Sequence, residues 1–224
     1  MVVRILYEDN HLLVVVKPPN VPVQEDISGD RDILTILKDD IKERYNKPGN
    51  VFLGLVHRLD RPVGGAMVFA KTSKAASRLS EQIRRHEMGK TYLCVVQGCP
   101  KDFKGRLEDY LLKDAKTNVV CIVKPGTPGA KQAILDYEVI SRAEDLSLIK
   151  INLHTGRSHQ IRVQMAYNGT PLFGDTKYGY NGNRAHRLAL WSYELSIFHP
   201  TTKERMTFAS SPPDEYPWNI FAFK

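Results

Sequence analysis

The chain lacks any apolar run near the roughly 18 residues that a membrane-spanning helix needs. Its longest candidate, Leu12 to Val16, fits a buried strand. The N-terminus lacks the charged, then apolar, then small-residue design of a secretory signal, so no export is expected. Cysteine is scarce. Cys94, Cys99 and Cys121 are odd in number and lie in or beside apolar stretches, which suits reduced thiols in a cytoplasmic protein and excludes a disulfide framework. With no Cys-x-x-Cys pair, a zinc site is not expected. Internal repeats, low-complexity segments and a linker able to divide two domains are also missing. With 224 residues, 42% of them hydrophobic, the core can form without disulfides or metals.

Negative charge is in the minority. The 25 Asp plus Glu face 32 Lys plus Arg, giving +7 and a pI near 9.2. Such an excess attracts polyanions, and for nucleic acid it gives binding that weakens with salt. A mildly basic soluble protein with no such partner has the same balance.

Apolar patterning places short strands at Ile5–Tyr7 and Leu12–Val16, joined by the turn Glu8-Asp9-Asn10 and ended by Pro18-Pro19. Ile33, Leu34, Ile36, Leu37, Ile41 and Tyr45 recur at helical spacing, with Asp32 as cap and Pro48-Gly49 as stop. Val51–Val56 and Ala66–Ala70 read as strands flanking a turn. Ser73 is expected to cap a helix carrying Ala76, Leu79 and Ile83, and Thr91–Gln97 follows as a strand. From Arg106 to Phe208 the pattern is mostly β, with strands near Val119–Val123, Ala133–Ile140, Leu146–Leu153, Leu188–Phe198 and Met206–Phe208. A helix at Ser158–Tyr167 interrupts it, closed by Gly169 and Pro171, and Ser211–Trp218 is expected to hug the surface. The economical architecture is α+β, a single domain over residues 1–224 built on a large mixed, mainly antiparallel β-sheet with flanking helices.

Three clusters can carry chemistry. In Val56-His57-Arg58-Leu59-Asp60-Arg61-Pro62 a carboxylate lies between two guanidinium groups, where an apolar strand gives way to a turn. Neighbouring positive charge favours the ionised form, which suits a nucleophile or electrostatic anchor better than a proton donor. A surface salt bridge closing a turn has the same sequence. Gly64-Gly65 allows a close backbone approach or a positive φ just beyond. The second cluster is Lys90-Thr91-Tyr92, entering a strand after a basic helix, although a lone Tyr is more often a sheet aromatic. The third, His154-Thr155-Gly156-Arg157-Ser158-His159-Gln160-Ile161-Arg162, runs from a strand through a Gly turn to a helix N-terminus that favours an anion. His154 and His159, with no acidic residue spaced to join them, read as structural hydrogen-bonders, and Arg157 and Arg162 also fit solvated surface charge.

Taken together, His57-Arg58-Leu59-Asp60, Lys90-Thr91-Tyr92 and Thr155 to Arg162 resemble, in order and spacing, the RluA-type pseudouridine synthases. The resemblance takes in Ile5 to Asp9, Lys17-Pro18, Gly169 to Asp175 and Tyr178-Gly179, and runs from about Ile5 to Phe208. It implies an enzyme that isomerises specific uridines to pseudouridine in structured ribosomal or transfer RNA. Asp60 matches the catalytic aspartate acting on the sugar side of the uridine, and Tyr92 the aromatic that stacks on the base and takes the proton from C5. Arg162 matches the basic residue that pairs with the aspartate. Arg58 matches the arginine that fills the space of the displaced nucleotide, a vacancy suited to a planar cation. His57 and Arg157 are expected to contact RNA, and Leu190 to line the site. Isomerisation conserves every atom, so no cofactor or metal is expected. The expected partner is an RNA stem-loop, not DNA or a membrane, and the expected state is a cytoplasmic monomer.

Departures from the family pattern are local. Val63-Gly64-Gly65 stands where Thr-Ser-Gly is usual, Lys17-Pro18-Pro19-Asn20 replaces Lys-Pro-x-Gly, and Leu190-Trp191-Ser192 replaces Leu-His-Ala. Asn20 tolerates the left-handed region, so that turn is expected to survive. No separate N-terminal RNA-binding module is expected, because the catalytic pattern begins at residue 5. Two other readings are a nucleoside hydrolase or glycosidase using Asp60, and a non-catalytic RNA-binding or ribosome-assembly protein on the same scaffold. The first class usually needs a second carboxylate, and only Asp175 is near the clusters in sequence.

Overall fold

The computed structural model describes residues 2–221. They form α+β structure with mainly antiparallel sheet and three helices, as the apolar patterning implies. The chain divides into two compact units, Met1–Gly89 with Ser192–Ser211, and Lys90–Trp191 with Pro212–Lys224.

In the first unit, β1 (Arg4–Glu8), β2 (Leu12–Lys17) and β4 (Gly64–Ala70) pair antiparallel in that order, with the two-residue β3 (Gly54–Leu55) also on β4. The Asp9 side chain accepts from the His11 and Leu12 amides, which fixes the β1–β2 turn. Helix α1 (Ile33–Arg44) starts at Asp32, whose carboxylate accepts from Thr35 N at 3.0 Å as expected. Helix α2 (Ser73–Arg84) is capped by Thr72, not Ser73, because Thr72 has the extended backbone a cap needs and Ser73 is already helical. Leu12, Val14, Ala66, Val68 and Ala70 share one sheet face and pack with Ala75 and Leu79 of α2. Leu13, Val15, Met67 and Phe69 alternate to the other face and are equally buried. Burial on both faces explains why these strands read as near-continuous apolar runs.

In the second unit the strand order is β5 (Gly89–Gln97), β9 (Leu146–Leu153), β8 (Lys131–Ala143), β6 (Lys104–Asp114), β7 (Val119–Val123), each neighbouring pair antiparallel. Helix α3 (Gln160–Tyr167) is shorter than its pattern implies, because His159 sits in the left-handed region at φ 51° and delays its start to two residues after Ser158. Leu111, Val120, Ala133 and Val163 form a small core beneath it. The C-terminal segment is tied down more firmly than a surface tail, since Trp218 and Phe221 are buried. Strands β10 (Leu190–Phe198) and β11 (Arg205–Ala209) form a hairpin, Glu194–Phe198 pairing with Arg205–Ala209.

Gly65 meets both conditions anticipated for the paired glycines. Its φ is +115°, and a Cβ built there would lie 2.2 Å from Ser192 O and 2.7 Å from Ser192 N. Substituting Gly65→Ala is expected to cost about 3 kcal/mol or more by denaturant unfolding. Gly29→Ala is expected to cost about 1 kcal/mol, since it meets positive φ (+71°) in open space. Equal losses at the two positions would contradict the packing argument.

Candidate active site

Asp60 is half-buried in the irregular segment between β3 and β4. Its carbonyl accepts from Val63 N at 2.9 Å, which closes a turn over Arg61-Pro62. This turn hangs from Lys17, the last residue of β2. The Lys17 side chain is completely buried and its Nζ donates to the carbonyls of Pro18 (2.9 Å), Arg61 (3.0 Å) and Val63 (2.8 Å). Burial pulls the ammonium pKa down to about 7, the negative charge of Asp60 acts against that fall, and Arg61 adds to it. The buried cation of the turn is therefore Lys17. Arg61 turns instead to residues 20–30, donating to Asn20 O (3.2 Å) and Ser28 Oγ (2.9 Å) and pairing with Asp30. Asn20 holds φ 64°, so the turn after Lys17 survives the loss of glycine.

His57 points back to the sheet, and its Nε2 accepts from Val68 N at 3.1 Å, so a neutral ring carries its proton on Nδ1. Arg58 is exposed and the Leu59 side chain is buried, which anchors the segment between them. The chain thus presents position 58 outward while positions 57 and 59 fasten it.

In the second unit Tyr92 is buried on β5 opposite Ile151 of β9. Leu190 is buried at the start of β10. The segment Thr155 to Arg162 is organised by the buried Gln160. Its Oε1 accepts from Thr155 Oγ1 (2.7 Å) and Arg157 N (3.1 Å), and its Nε2 donates to Ile134 O (3.1 Å). Thr155 Oγ1 also accepts from Ile134 N at 2.8 Å. The Thr-x-x-x-x-Gln spacing thereby fastens the strand-to-helix turn to β8. Arg157 follows the same strand, donating Nε to Gln132 O at 2.8 Å.

Arg162 is a buried guanidinium, not a solvated one. Its Nε and Nη2 donate to the two oxygens of Asp175 at 2.7 and 2.8 Å, and its Cζ lies 5.1 Å from the centroid of the Tyr178 ring. Tyr178 is fixed in turn. Its hydroxyl accepts from Val120 N (2.9 Å) and lies 2.6 Å from His159 Nδ1. The paired carboxylate, the ring and the histidine lock the fork in place. Both histidines are hydrogen-bonders as expected, although His154 does have a carboxylate partner, Asp136 at 2.5 Å, brought in by β8–β9 pairing.

Sequence reasoning singled out Asp60, Tyr92 and Arg162 but missed the supporting roles of Lys17, Asp175 and Tyr178. Lys17 had a signal, a lysine directly after a buried apolar run. Asp60, Arg58 and His57 belong to the first unit, while Tyr92, Arg157, Arg162 and Leu190 belong to the second.

These side chains carry expected outcomes at Lys17, Asp175 and Tyr178. Lys17→Met orphans three carbonyls and is expected to lose about 3 kcal/mol of stability by denaturant titration. Folded Lys17 releases its proton near pH 7, whereas an unfolded lysine holds it to about 10.5. The unfolded state thus binds more protons in between, so stability from this group is flat below pH 7 and rises toward 10.5. A wild-type minus Lys17→Met difference that falls over that window would contradict this. Asp175→Asn breaks a buried charge pair and is expected to cost about 3 kcal/mol. Tyr178→Phe, which keeps the ring, is expected to cost about 1 kcal/mol. Near-equal costs would show that the carboxylate does not hold the fork.

Comparison with known proteins points to one family. The family model for RNA pseudouridylate synthase matches residues 11–167. The uncharacterized RNA pseudouridine synthase YjbO of Bacillus subtilis (strain 168) is 34% identical over 94% of this chain and 73% of its own length. Ribosomal large subunit pseudouridine synthase C of Yersinia pestis is 34% identical over 90% of this chain and 63% of its own. Human RNA Pseudouridylate Synthase Domain Containing 4 superposes with a TM-score of 0.80 at 22% identity, covering 94% of this chain and 88% of that one, which establishes the likeness of fold. On the match over residues 11–167, this chain belongs to the RNA pseudouridylate synthase family, whose RluA-type members its motifs resemble.

Proposed function

We propose that the chain isomerises particular uridines in a stem-loop of ribosomal or transfer RNA, with Asp60 as the catalytic carboxylate. The observation that carries this reading is the Asp60 turn hung from the buried Lys17 ammonium, a half-buried carboxylate fixed in a field of positive charge. In the reaction the bond from ribose C1′ to N1 breaks, the uracil turns, and C1′ joins C5. The C5 proton leaves and N1 gains one, so the nucleoside keeps its composition. Asp60 acts on the ribose and Tyr92 stacks on the base and accepts the C5 proton. Arg162 serves as the basic residue of the catalytic set. Asp175 holds the Nε–Nη2 edge of its guanidinium fork.

Arg58, exposed beside inward-facing neighbours, fills the stack vacated by the flipped nucleotide. His57 supports the Asp60 loop from its contact on β4, Arg157 grips RNA, and Leu190 lines the base site. The chain works as a single catalytic domain in a cytoplasmic monomer. No helix among the described residues is long and apolar enough to cross a membrane.

Nucleoside hydrolysis is disfavoured because Asp175, the acidic residue near the clusters, has both oxygens engaged by Arg162. Asp60→Asn is expected to lower pseudouridine formation by about a thousandfold or more while RNA binding stays within a few-fold. The assay is carbodiimide mapping of ribosomal and transfer RNA from cells lacking the protein, after incubation with purified enzyme. Substantial pseudouridine formation by the variant would remove Asp60 from the mechanism. Free uracil released by the wild type would favour the hydrolase.

A further inference from the structure

Lys90 differs from the other inward cations of the chain. Its side chain is half-buried at the start of β5, yet among the described residues no carboxylate or hydrogen-bond acceptor pairs with it. Burial first, and the charge of Arg157 second, push its pKa below the ordinary lysine value. Its Nζ lies over Gly156, where an added Cβ would come within 3.3 Å, so the missing side chain at 156 makes room for the ammonium. Arg157 is aimed by its Nε bond to Gln132 O, and among the described residues no carboxylate pairs with it either. Next to them, α3 begins without a side-chain cap on its first turn.

A folded protein gains nothing by placing two unneutralised cations together at partial burial, since each raises the cost of charging the other. The arrangement is explained if an anion completes it. We propose that Lys90 and Arg157, over the bare backbone of Gly156, form a seat for one backbone phosphate of the substrate RNA. The seat deepens the RNA-modifying reading and rests on it. Tyr92 stands two residues along the same strand, so a phosphate held here fixes the strand close to the target base. A phosphodiester suits the pair because its two free oxygens take one ammonium and one guanidinium, and charge-assisted bonds of this kind are strong.

The test uses the full chain and two measurements. The first titrates wild type and the variants Lys90→Met, Arg157→Met and the double variant with uridine and with uridine 5′-monophosphate, following binding by isothermal calorimetry. The monophosphate is expected to bind at least fivefold tighter than uridine to wild type, and that preference is expected to vanish in the double variant. An unchanged preference in the double variant would overturn the proposal. The second measures binding to deproteinised large-subunit ribosomal RNA against salt, where each single variant is expected to lower the logarithmic slope by about one. A slope unchanged by both substitutions would equally overturn it.

A structural lysine and a ligand-seating lysine differ in one further readout. If Lys90 serves a phosphate, Lys90→Met removes an uncompensated charge and is expected to raise the melting midpoint by about 2–4 °C while weakening binding. A lowered midpoint with unaltered RNA binding would make Lys90 structural. Loss of the phosphate preference with a fully active Asp60→Asn enzyme would spare this seat and sink the catalytic reading. The reverse result would do the opposite.

Discussion

An ammonium with no solvent exposure costs several kcal/mol to place in a protein interior unless every proton finds an acceptor. At Lys17 all three do, on the carbonyls of Pro18, Arg61 and Val63, and the Asp60 charge adds to the compensation. The bonds tie the end of β2 to both sides of the Asp60 turn. One strand later Gly65 presses its backbone against Ser192. The backbone of the turn is thus fixed at residues 61, 63 and 65, next to Asp60. A rigid support of this kind is what a charged catalytic group requires, because reorganisation at the moment of reaction is the cost it avoids.

The second unit solves a similar problem differently. Arg162 meets a full carboxylate in Asp175 and an aromatic face in Tyr178, so its charge is neutralised in the plane and supported above it. Lys17 relies on neutral carbonyls and keeps its positive field directed at the neighbouring carboxylate, whereas the Arg162 charge is already balanced by Asp175. Lys90 follows neither pattern. Its incompleteness within the protein separates a cation that builds the fold from one that waits for a ligand.

Much of the scaffold was legible because it depends on short-range pattern. The apolar runs of Leu12–Val16, Val119–Val123 and Leu146–Leu153, and the cap at Asp32, are written locally and are legible from the sequence. The errors share a cause. Thr72 and Ser73 are adjacent hydroxyl residues, and only backbone conformation decides which one caps. The α3 start shifted because a left-handed His159 is invisible to periodicity. Arg61 was paired with its sequence neighbour, but chain reversal carries its side chain to residues 26–30. His154 finds Asp136 through strand register, and Lys17 finds the Asp60 turn 44 to 46 residues later. None of these partners is encoded by spacing along the chain.

The account stands most directly on what happens to cellular RNA. Pseudouridines would be mapped chemically in ribosomal and transfer RNA from cells with and without this protein. The account predicts that one or a few uridines lose the modification in its absence and regain it when the intact gene is restored. Identical maps in the two strains would contradict it.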